Sequence, residues 1–216
     1  MKIYLVRHGQ MTGDPHRHET PPVTGCLSVR GMEQAAALGK ALSGITFDRI
    51  YASPLGRAIQ TAQVLTPAPG RSIEILDWLI EWRPAHIMNG TDEANFEKMC
   101  RAAAALRPEM TWKTEAGEGT LEMAARIVPG WISLLSSLGV QAGHGGYLLD
   151  HPDDASNIAL VAHGGSLGHL LAFILSVPIR PNPPIAFHET GVAIIKFARQ
   201  GDVWYPQMEI MPPCCG

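Results

Sequence analysis

The sequence predicts an α/β fold, a three-layer α/β/α arrangement around a mostly parallel central sheet, because three features of the chain agree. Short apolar runs alternate along the chain with longer, helix-like segments. Two of these runs are followed, directly or after one arginine, by a histidine and a glycine, at the strand ends where parallel sheets bind ligands. The chain has 216 residues, of which 46% are hydrophobic and 17% charged, so it can bury one large core. We therefore expect a single domain over residues 1–216.

The first third of the chain predicts two strand–helix units. Each starts with a short apolar run and leads to a helix that begins at a capping serine or at a first-turn proline. The predicted elements are a strand at Lys2–Val6, a loop at Gln10–Gly25, a helix from Val29 to about Leu42, a strand at Arg49–Ala52 and a helix from Ser53 to about Leu65.

The middle of the chain is less regular and follows a short predicted strand at Ser72–Leu76. We expect residues about 78–150 to form a helical subdomain that caps the site. Its predicted elements are a helix at Asp92–Leu106, a helix at Thr120–Leu138 that is interrupted or kinked at Pro129, and a loop at Gln141–Asp154.

The last third returns to regular patterns. An apolar strand at Asn157–Ala162 precedes a helix from Ser166 to about Leu175. Two further strands, Val192–Phe197 and Val203–Ile210, are separated by a short turn and predict a hairpin.

Composition excludes several classes of protein. The net charge is −3 with neutral histidines, so no basic field attracts nucleic acid or a membrane surface, and we expect neither as a partner. The four cysteines form no Cys-x-x-Cys pair, and the N-terminus has no signal pattern, so we expect a reduced cytoplasmic protein. Nine histidines are the unusual feature, and they raise the question of catalysis or metal binding.

Four short elements carry residues suited to phosphoryl transfer. They are Arg7-His8-Gly9, Ser53-Pro54 with Arg57, Leu79-Ile80-Glu81, and Ala162-His163-Gly164. A neutral imidazole can attack phosphorus, arginine forks can hold phosphate oxygens, and a carboxyl group can protonate the leaving alkoxide. No His, Cys or acidic set has a convincing ligand spacing, so we predict no metal.

These elements, in this order, resemble the motifs of the histidine phosphatase superfamily, the phosphoglycerate mutase-like group. The matching segments are Ile3-Tyr4-Leu5-Val6-Arg7-His8-Gly9, Leu27-Ser28-x-x-Gly31-x-x-Gln34-Ala35, Ile50-Tyr51-Ala52-Ser53-Pro54-Leu55-x-Arg57-Ala58-x-x-Thr61-Ala62 and Val161-Ala162-His163-Gly164-Gly165. The resemblance covers residues 1–66 and 157–197 well and the middle loosely. It implies a phosphoglycerate mutase-like fold that needs no metal and no organic cofactor.

The resemblance also implies roles for single residues. His8 would be the phosphorylated nucleophile, and Glu81 would be the acid/base because it fits the family's Leu-x-Glu element. Glu118 is the alternative acid/base, in a Gly-Glu-Gly element where relatives have Gly-Glu-Ser. The phosphate pocket would consist of Arg7, Arg57 and His163.

Further binding positions are expected around this pocket. The Thr and Asn that often help relatives hold the phosphate are Met11 and Asp14 here, and Thr12 could substitute for the missing Thr. Gly164 and Thr190 are candidate contacts at the pocket, with His188 as the alternative to Thr190. Arg17, in the first long loop, could meet an acidic group of the substrate.

The predicted function is a phosphomonoesterase that hydrolyses a small phosphorylated metabolite through a phosphohistidine on His8. A phosphoglycerate mutase is the first alternative, although the basic insertion typical of glycolytic mutases is missing. A phosphate-binding pseudoenzyme is the second, kept open by Met11 and Asp14. The substrate and the oligomeric state stay open, and a homodimer is one option.

Overall fold

A computed structural model describes the fold and the surroundings of the predicted site residues. It describes residues 1–12, 27–66, 72–83, 94–95, 98, 101–102, 113–114, 117–143, 145–178 and 185–211. In chain order the described strands are β1 (Lys2–Arg7), β2 (Arg49–Ala52), β3 (Ile73–Ile75), β4 (Lys113–Thr114), β5 (Gly117–Glu118), β6 (Val140–Gly143), β7 (Gly146–Leu149), β8 (Asn157–Ala162), β9 (Val192–Gln200) and β10 (Val203–Ile210). The described helices are α1 (Val29–Ala41), α2 (Gly56–Gln63), a 3₁₀ helix (Asp77–Leu79), α3 (Thr120–Ser137) and α4 (Gly164–Ile174).

The central sheet has two halves. Its strand order is β3-β2-β8-β1-β9-β10-β7-β6. The strands β3, β2, β8 and β1 pair in parallel, whereas each pairing from β1 outward through β9, β10, β7 and β6 is antiparallel. Arg7 lies opposite Ala162, and Ala52 lies opposite Val161, so β1, β8 and β2 end at the same level.

Alternate side chains of the central strands enter two separate cores, one on each face of the sheet. In β8, Leu160 packs in the core that contains residues of α3 and α4, and its neighbour Val161 packs in the core that contains residues of α1 and α2. The helices therefore cover both faces of the sheet, and the predicted three-layer α/β/α architecture is confirmed, with the parallel pairings in the half of the sheet that contains β1, β2, β3 and β8.

The structure differs from the sequence prediction between residues 120 and 149. The predicted loop at Gln141–Asp154 is wrong, because β6 and β7 form a hairpin there that extends the central sheet. The left-handed backbone of Gly145, with φ of +78°, lies in the turn between the two strands. The α3 helix runs through Pro129 without the expected interruption.

The expected helical cap is not seen in the described part of residues 78–150. Here α3 packs into the main core through residues such as Met123, Ile127 and Trp131, and β6 and β7 belong to the central sheet. Of the predicted helix at Asp92–Leu106, the described residues Ala94, Asn95, Lys98, Arg101 and Ala102 are helical. No helix within the described ranges is long and apolar enough to cross a membrane.

Candidate active site

The predicted chemistry-bearing residues gather at one edge of the sheet. His8 directly follows β1, Arg57 lies in the first turn of α2 after β2, Glu81 follows the 3₁₀ helix after β3, and His163 directly follows β8. Because these four strands are parallel, their carboxyl ends meet at the same edge. Residues that are far apart in the chain therefore come together there.

His8 is buried, and its ring has a defined tautomer. Its Nδ1 lies 2.6 Å from the carbonyl oxygen of Gly9. A carbonyl can only accept a hydrogen bond, so Nδ1 carries the proton and Nε2 carries the lone pair. Burial, and then the positive charge of Arg57, lower the pKa of His8 to about 3, the Gly9 hydrogen bond opposes them, and the charge of Arg7 adds a smaller lowering effect. The ring is therefore neutral at physiological pH, with Nε2 available as a nucleophile.

Arg7 offers a hydrogen-bond donor without a protein partner. Its Nη1 donates to the carbonyl of Phe187 at 2.5 Å, whereas its buried Nε has no partner. A buried guanidinium donor without a partner costs free energy, so such a group indicates a ligand or water. Gly164 adjoins this donor, because a side chain there would begin 3.5 Å from the Arg7 guanidinium.

Arg57 and His163 form a buried pair beside His8. The Nε of Arg57 donates to Nδ1 of His163 at 3.2 Å, so this ring nitrogen must be unprotonated. The other nitrogen, Nε2, lies 2.7 Å from the hydroxyl of Ser53. The His163 ring meets the His8 ring edge-to-face, with 4.9 Å between their centroids. A direct contact of His163 Nε2 with a phosphate would replace its bond to Ser53.

Glu81 lies at the N-terminus of α4. Its carboxylate accepts hydrogen bonds from the backbone N–H groups of Gly165 (3.1 Å), Ser166 (3.0 Å) and Trp82 (2.8 Å). The first two are among the helix N–H groups that have no partner within the helix, and the helix dipole favours a negative group there. A Cβ atom at Gly165 would come within 2.4 Å of the carboxylate, so the glycine leaves the space that Glu81 occupies.

The segment that carries Glu81 is held by Arg126 of α3. The Arg126 guanidinium donates to the carbonyl oxygens of Trp78, Ile80 and Glu81, at 2.7, 2.8 and 3.1 Å. It also donates to both carboxylate oxygens of Glu118, at 2.7 and 2.8 Å. Both Glu118 oxygens are held by a charged partner, whereas within the described residues those of Glu81 accept only from backbone N–H groups, and this difference argues against the alternative in which Glu118 is the acid/base.

Close backbone packing holds the loop after His8. A Cβ at Gly31 would lie 1.9 Å from the carbonyl oxygen of Gln10, and a Cβ at Gly9 would lie 2.6 Å from the carbonyl oxygen of Gly31. Ser28, which caps α1, also donates its hydroxyl to the side chain of Gln10 at 2.8 Å. The glycines of the two motifs are therefore required where the loop crosses the start of α1.

Thr190 lies next to His8 in a strained conformation. Its backbone N–H donates to the carbonyl of His8 at 3.3 Å, and its φ is +55°, which is unfavourable for a β-branched residue. Its hydroxyl donates to the carbonyl of Glu189 at 2.7 Å. The structure thus places the backbone of Thr190 against that of His8, with its hydroxyl directed to Glu189, while its alternative His188 is exposed.

Comparison with known proteins agrees with this geometry. The sequence profile of the histidine phosphatase superfamily (branch 1) matches residues 3–205. This chain belongs to that superfamily. It is 30% identical over 186 residues to the probable phosphoglycerate mutase GpmB of Enterobacter sp. strain 638, covering 82% of this chain and 76% of the relative. It is 29% identical over 208 residues to the glucosyl-3-phosphoglycerate phosphatase of Mycobacterium tuberculosis, covering 95% of this chain and 87% of the relative.

A solved structure of such a relative shares the fold. The native structure of mycobacterial glucosyl-3-phosphoglycerate phosphatase superposes with a TM-score of 0.72 at 25% identity, covering 97% of each chain. The family and the phosphatase names of these relatives support a phosphatase.

Within the histidine phosphatase framework, the structure brings Arg7, His8, Arg57, Glu81 and His163 to one sheet edge, as the motifs predict. Thr12 is exposed, just beyond the backbone pairing of Met11 with Leu27. Arg17, the predicted contact to an acidic group of the substrate, and Asp14, which replaces the Asn of relatives, lie outside the described residues. In the described ranges no three His, Cys, Asp or Glu residues are grouped to hold a metal ion.

Sequence reasoning missed Arg126 and Ser53 as parts of the site. Arg126 looks like an ordinary helix arginine, and no local signal connects it to a segment more than 40 residues earlier. Glu118 lies in β5 and Arg126 lies in α3, so the eight-residue spacing between them does not by itself predict their contact. The sequence pattern predicts a helix start at Ser53, but its hydroxyl also contacts His163.

Proposed function

We propose that this chain is a phosphomonoesterase that hydrolyses a small phosphorylated metabolite through a phosphohistidine on His8, without a metal ion. One observation carries the proposal: a buried, neutral His8 with Nε2 available lies beside Arg57 and Arg7, and Arg7 keeps a buried donor without a protein partner. Such a site suits a phosphate dianion, because arginine donors can neutralise its charge while the imidazole attacks.

The proposed reaction has two steps. First, with Glu81 starting in its protonated form, the Nε2 lone pair of His8 forms a bond to phosphorus, the bond from phosphorus to the ester oxygen breaks, and Glu81 gives its proton to the leaving alkoxide. Second, Glu81 takes a proton from water, the water oxygen bonds to phosphorus, and the phosphorus–nitrogen bond breaks to release inorganic phosphate and neutral His8. Arg7 and Arg57 hold the phosphoryl oxygens in both steps, and the N-terminus of α4 adds its positive end.

The test compares wild type with His8→Ala on p-nitrophenyl phosphate. We expect a loss of at least about 1,000-fold in kcat/KM, because removal of a nucleophile leaves only binding and electrostatic stabilisation. The matched control is His151→Ala, since His151 is exposed and precedes β8 at the opposite end of the sheet. Unchanged activity of His8→Ala would exclude the proposed nucleophile.

A mutase is the second candidate, because one of the curated relatives is named a probable phosphoglycerate mutase. The panel of test substrates should therefore include 2- and 3-phosphoglycerate and glucosyl-3-phosphoglycerate, in keeping with the names of these relatives. Isomerisation faster than phosphate release would support the mutase. Phosphate binding without turnover of any ester would support a pseudoenzyme.

A further inference from the structure

Arg126 holds the backbone of the segment that carries Glu81, and all of its guanidinium N–H groups are used in hydrogen bonds within the protein. It lies on α3, and its five guanidinium N–H groups serve five acceptors: three carbonyl oxygens of the segment 78–81 and both carboxylate oxygens of Glu118. One of those carbonyl groups belongs to Glu81 itself. A guanidinium fork can satisfy this arrangement, whereas the ammonium group of a lysine cannot.

The same segment is also held from its other side. The indole Nε1 of Trp82 donates to the carbonyl of Glu118 at 2.6 Å, and the backbone of Glu118 donates to the carbonyl of Arg83 at 2.9 Å. Trp78 packs against Gly130, one helical turn after Arg126, so closely that a Cβ there would lie 2.3 Å from the indole. The backbone on both sides of Glu81 is therefore attached to α3 and β5.

Arg126 and Glu118 form an ion pair that is largely shielded from solvent. The side chain of Glu118 is 1% exposed and that of Arg126 12% exposed. A buried ion pair contributes little net stability compared with apolar packing, but the loss of one partner leaves the other charge unpaired. The pair is thus better explained by the geometry that it imposes on the segment 78–81 than by stability alone.

We propose that Arg126, oriented by Glu118, is a positioning residue that sets the Glu81 carboxylate against the N-terminus of α4 for proton transfer. This inference rests on the proposed role of Glu81 in the phosphatase reaction. A proton donor must lie within hydrogen-bond reach of the leaving oxygen, and a misplacement of about 1 Å can cost about 100-fold in rate.

The test is a double-mutant cycle between Arg126→Met and Glu81→Gln, measured as kcat/KM for phenyl phosphate and for p-nitrophenyl phosphate. We expect Arg126→Met to lower the value for phenyl phosphate about 100-fold. The loss for p-nitrophenyl phosphate should be smaller, about tenfold, because its leaving group needs a proton less. In the Glu81→Gln background the same substitution should change either value less than about twofold, because no proton donor remains to be misplaced.

Matched variants separate positioning from folding. Arg199→Met removes an exposed arginine at the end of β9 and should leave both substrates unaffected. Arg126→Lys keeps the charge and should recover part of the loss. If Arg126→Met does not fold, as judged by circular dichroism, Glu118→Gln replaces it in the cycle, with a smaller loss that also disappears in the Glu81→Gln background.

The outcomes distinguish the inference from the proposed function. Equal losses in both backgrounds would overturn the positioning role while leaving Glu81 as acid/base, because they would show that Arg126 acts independently of Glu81. An unchanged rate of phenyl phosphate hydrolysis in Glu81→Gln itself would overturn the proposed role of Glu81, and the inference with it. A loss for Arg126→Met that is the same for both leaving groups would also overturn the inference.

Discussion

The two halves of the central sheet differ in what their strand ends carry. In the parallel half, β1, β2, β3 and β8 all point to one edge, and the residues that follow them converge there. In the antiparallel half, successive strands end at opposite edges, and tight turns at Gly145 and Gly201 join them. A site assembled from distant segments thus arises in the parallel half, and the antiparallel half extends the sheet. Equivalent substitutions in the two halves should therefore have different effects.

The largest difference is expected between two arginines. Arg57→Met should lower kcat/KM for p-nitrophenyl phosphate about 100- to 1,000-fold, because it removes a charged donor to the transferring group and the hydrogen bond from Arg57 Nε to Nδ1 of His163. Arg199→Met, at the end of β9, should leave the rate within about twofold of wild type. Steady-state kinetics of both variants would contradict the account if the two losses were similar.

Two glycines provide the next comparison. Gly165→Ala should lower kcat/KM about 10- to 100-fold, because its methyl group would displace the Glu81 carboxylate. It should cost little stability, since the displaced atom is the end of a flexible side chain. Gly143→Ala, in β6, meets Leu148 at an ordinary 3.4 Å and should change neither property. Kinetics and thermal unfolding check both variants; a Gly165→Ala enzyme with full activity would show that the Glu81 position is unimportant.

Substitutions of two serines should differ in their effects by less than the arginine and glycine pairs do. Ser53→Ala removes the hydrogen bond between the Ser53 hydroxyl and Nε2 of buried His163, so we expect a loss of about 1–3 kcal/mol in unfolding free energy and up to about tenfold in kcat. Ser137→Ala, at the end of α3, removes a local bond to the carbonyl of Leu134 and should cost less than about 1 kcal/mol. Chemical denaturation measures both; equal stability losses would mean that the Ser53 bond is unimportant.

The smallest expected effect concerns the His8 ring, which should not gain a proton in the pH range where histidines ordinarily do. Because the pKa of His8 is lowered to about 3, mainly by burial, its ring should stay neutral between about pH 8 and pH 5. In the unfolded chain His8 binds a proton once the pH falls below the ordinary histidine pKa, whereas in the fold it does so only near pH 3. His8 therefore lowers the free energy of unfolding as the pH falls between these two values. NMR of the His8 ring, assigned by comparison with His8→Asn, checks this; a midpoint near the ordinary histidine value would contradict it.

The sequence predicted the parallel half better than the antiparallel half, for a physical reason. Strands such as β8 are buried on both faces and appear as continuous apolar runs, so they are visible without the fold. The β6–β7 hairpin is half-exposed and rich in glycine, so Gln141–Asp154 resembled a loop. The pattern of α3 was visible, but its packing into the core depends on long-range contacts that no local pattern encodes.

For the site, too, residues in local motifs could be predicted and residues held by long-range contacts could not. His8, Arg57, Glu81 and His163 were identified because each lies in a short motif at a strand or helix end. Arg126 was missed because its partners are carbonyl oxygens of a remote segment, and carbonyl groups have no signature in a sequence.

The most direct test of the account is the chemical identity of the phosphoenzyme. The protein is mixed with p-nitrophenyl phosphate, quenched within the first turnover in base, and the phosphorylated histidine is identified by mass spectrometry and by NMR of the ring. Because Nδ1 of His8 is committed to the carbonyl of Gly9, the account predicts phosphate on Nε2 of His8. Phosphate on Nδ1 of His8, or on any other residue, would contradict it.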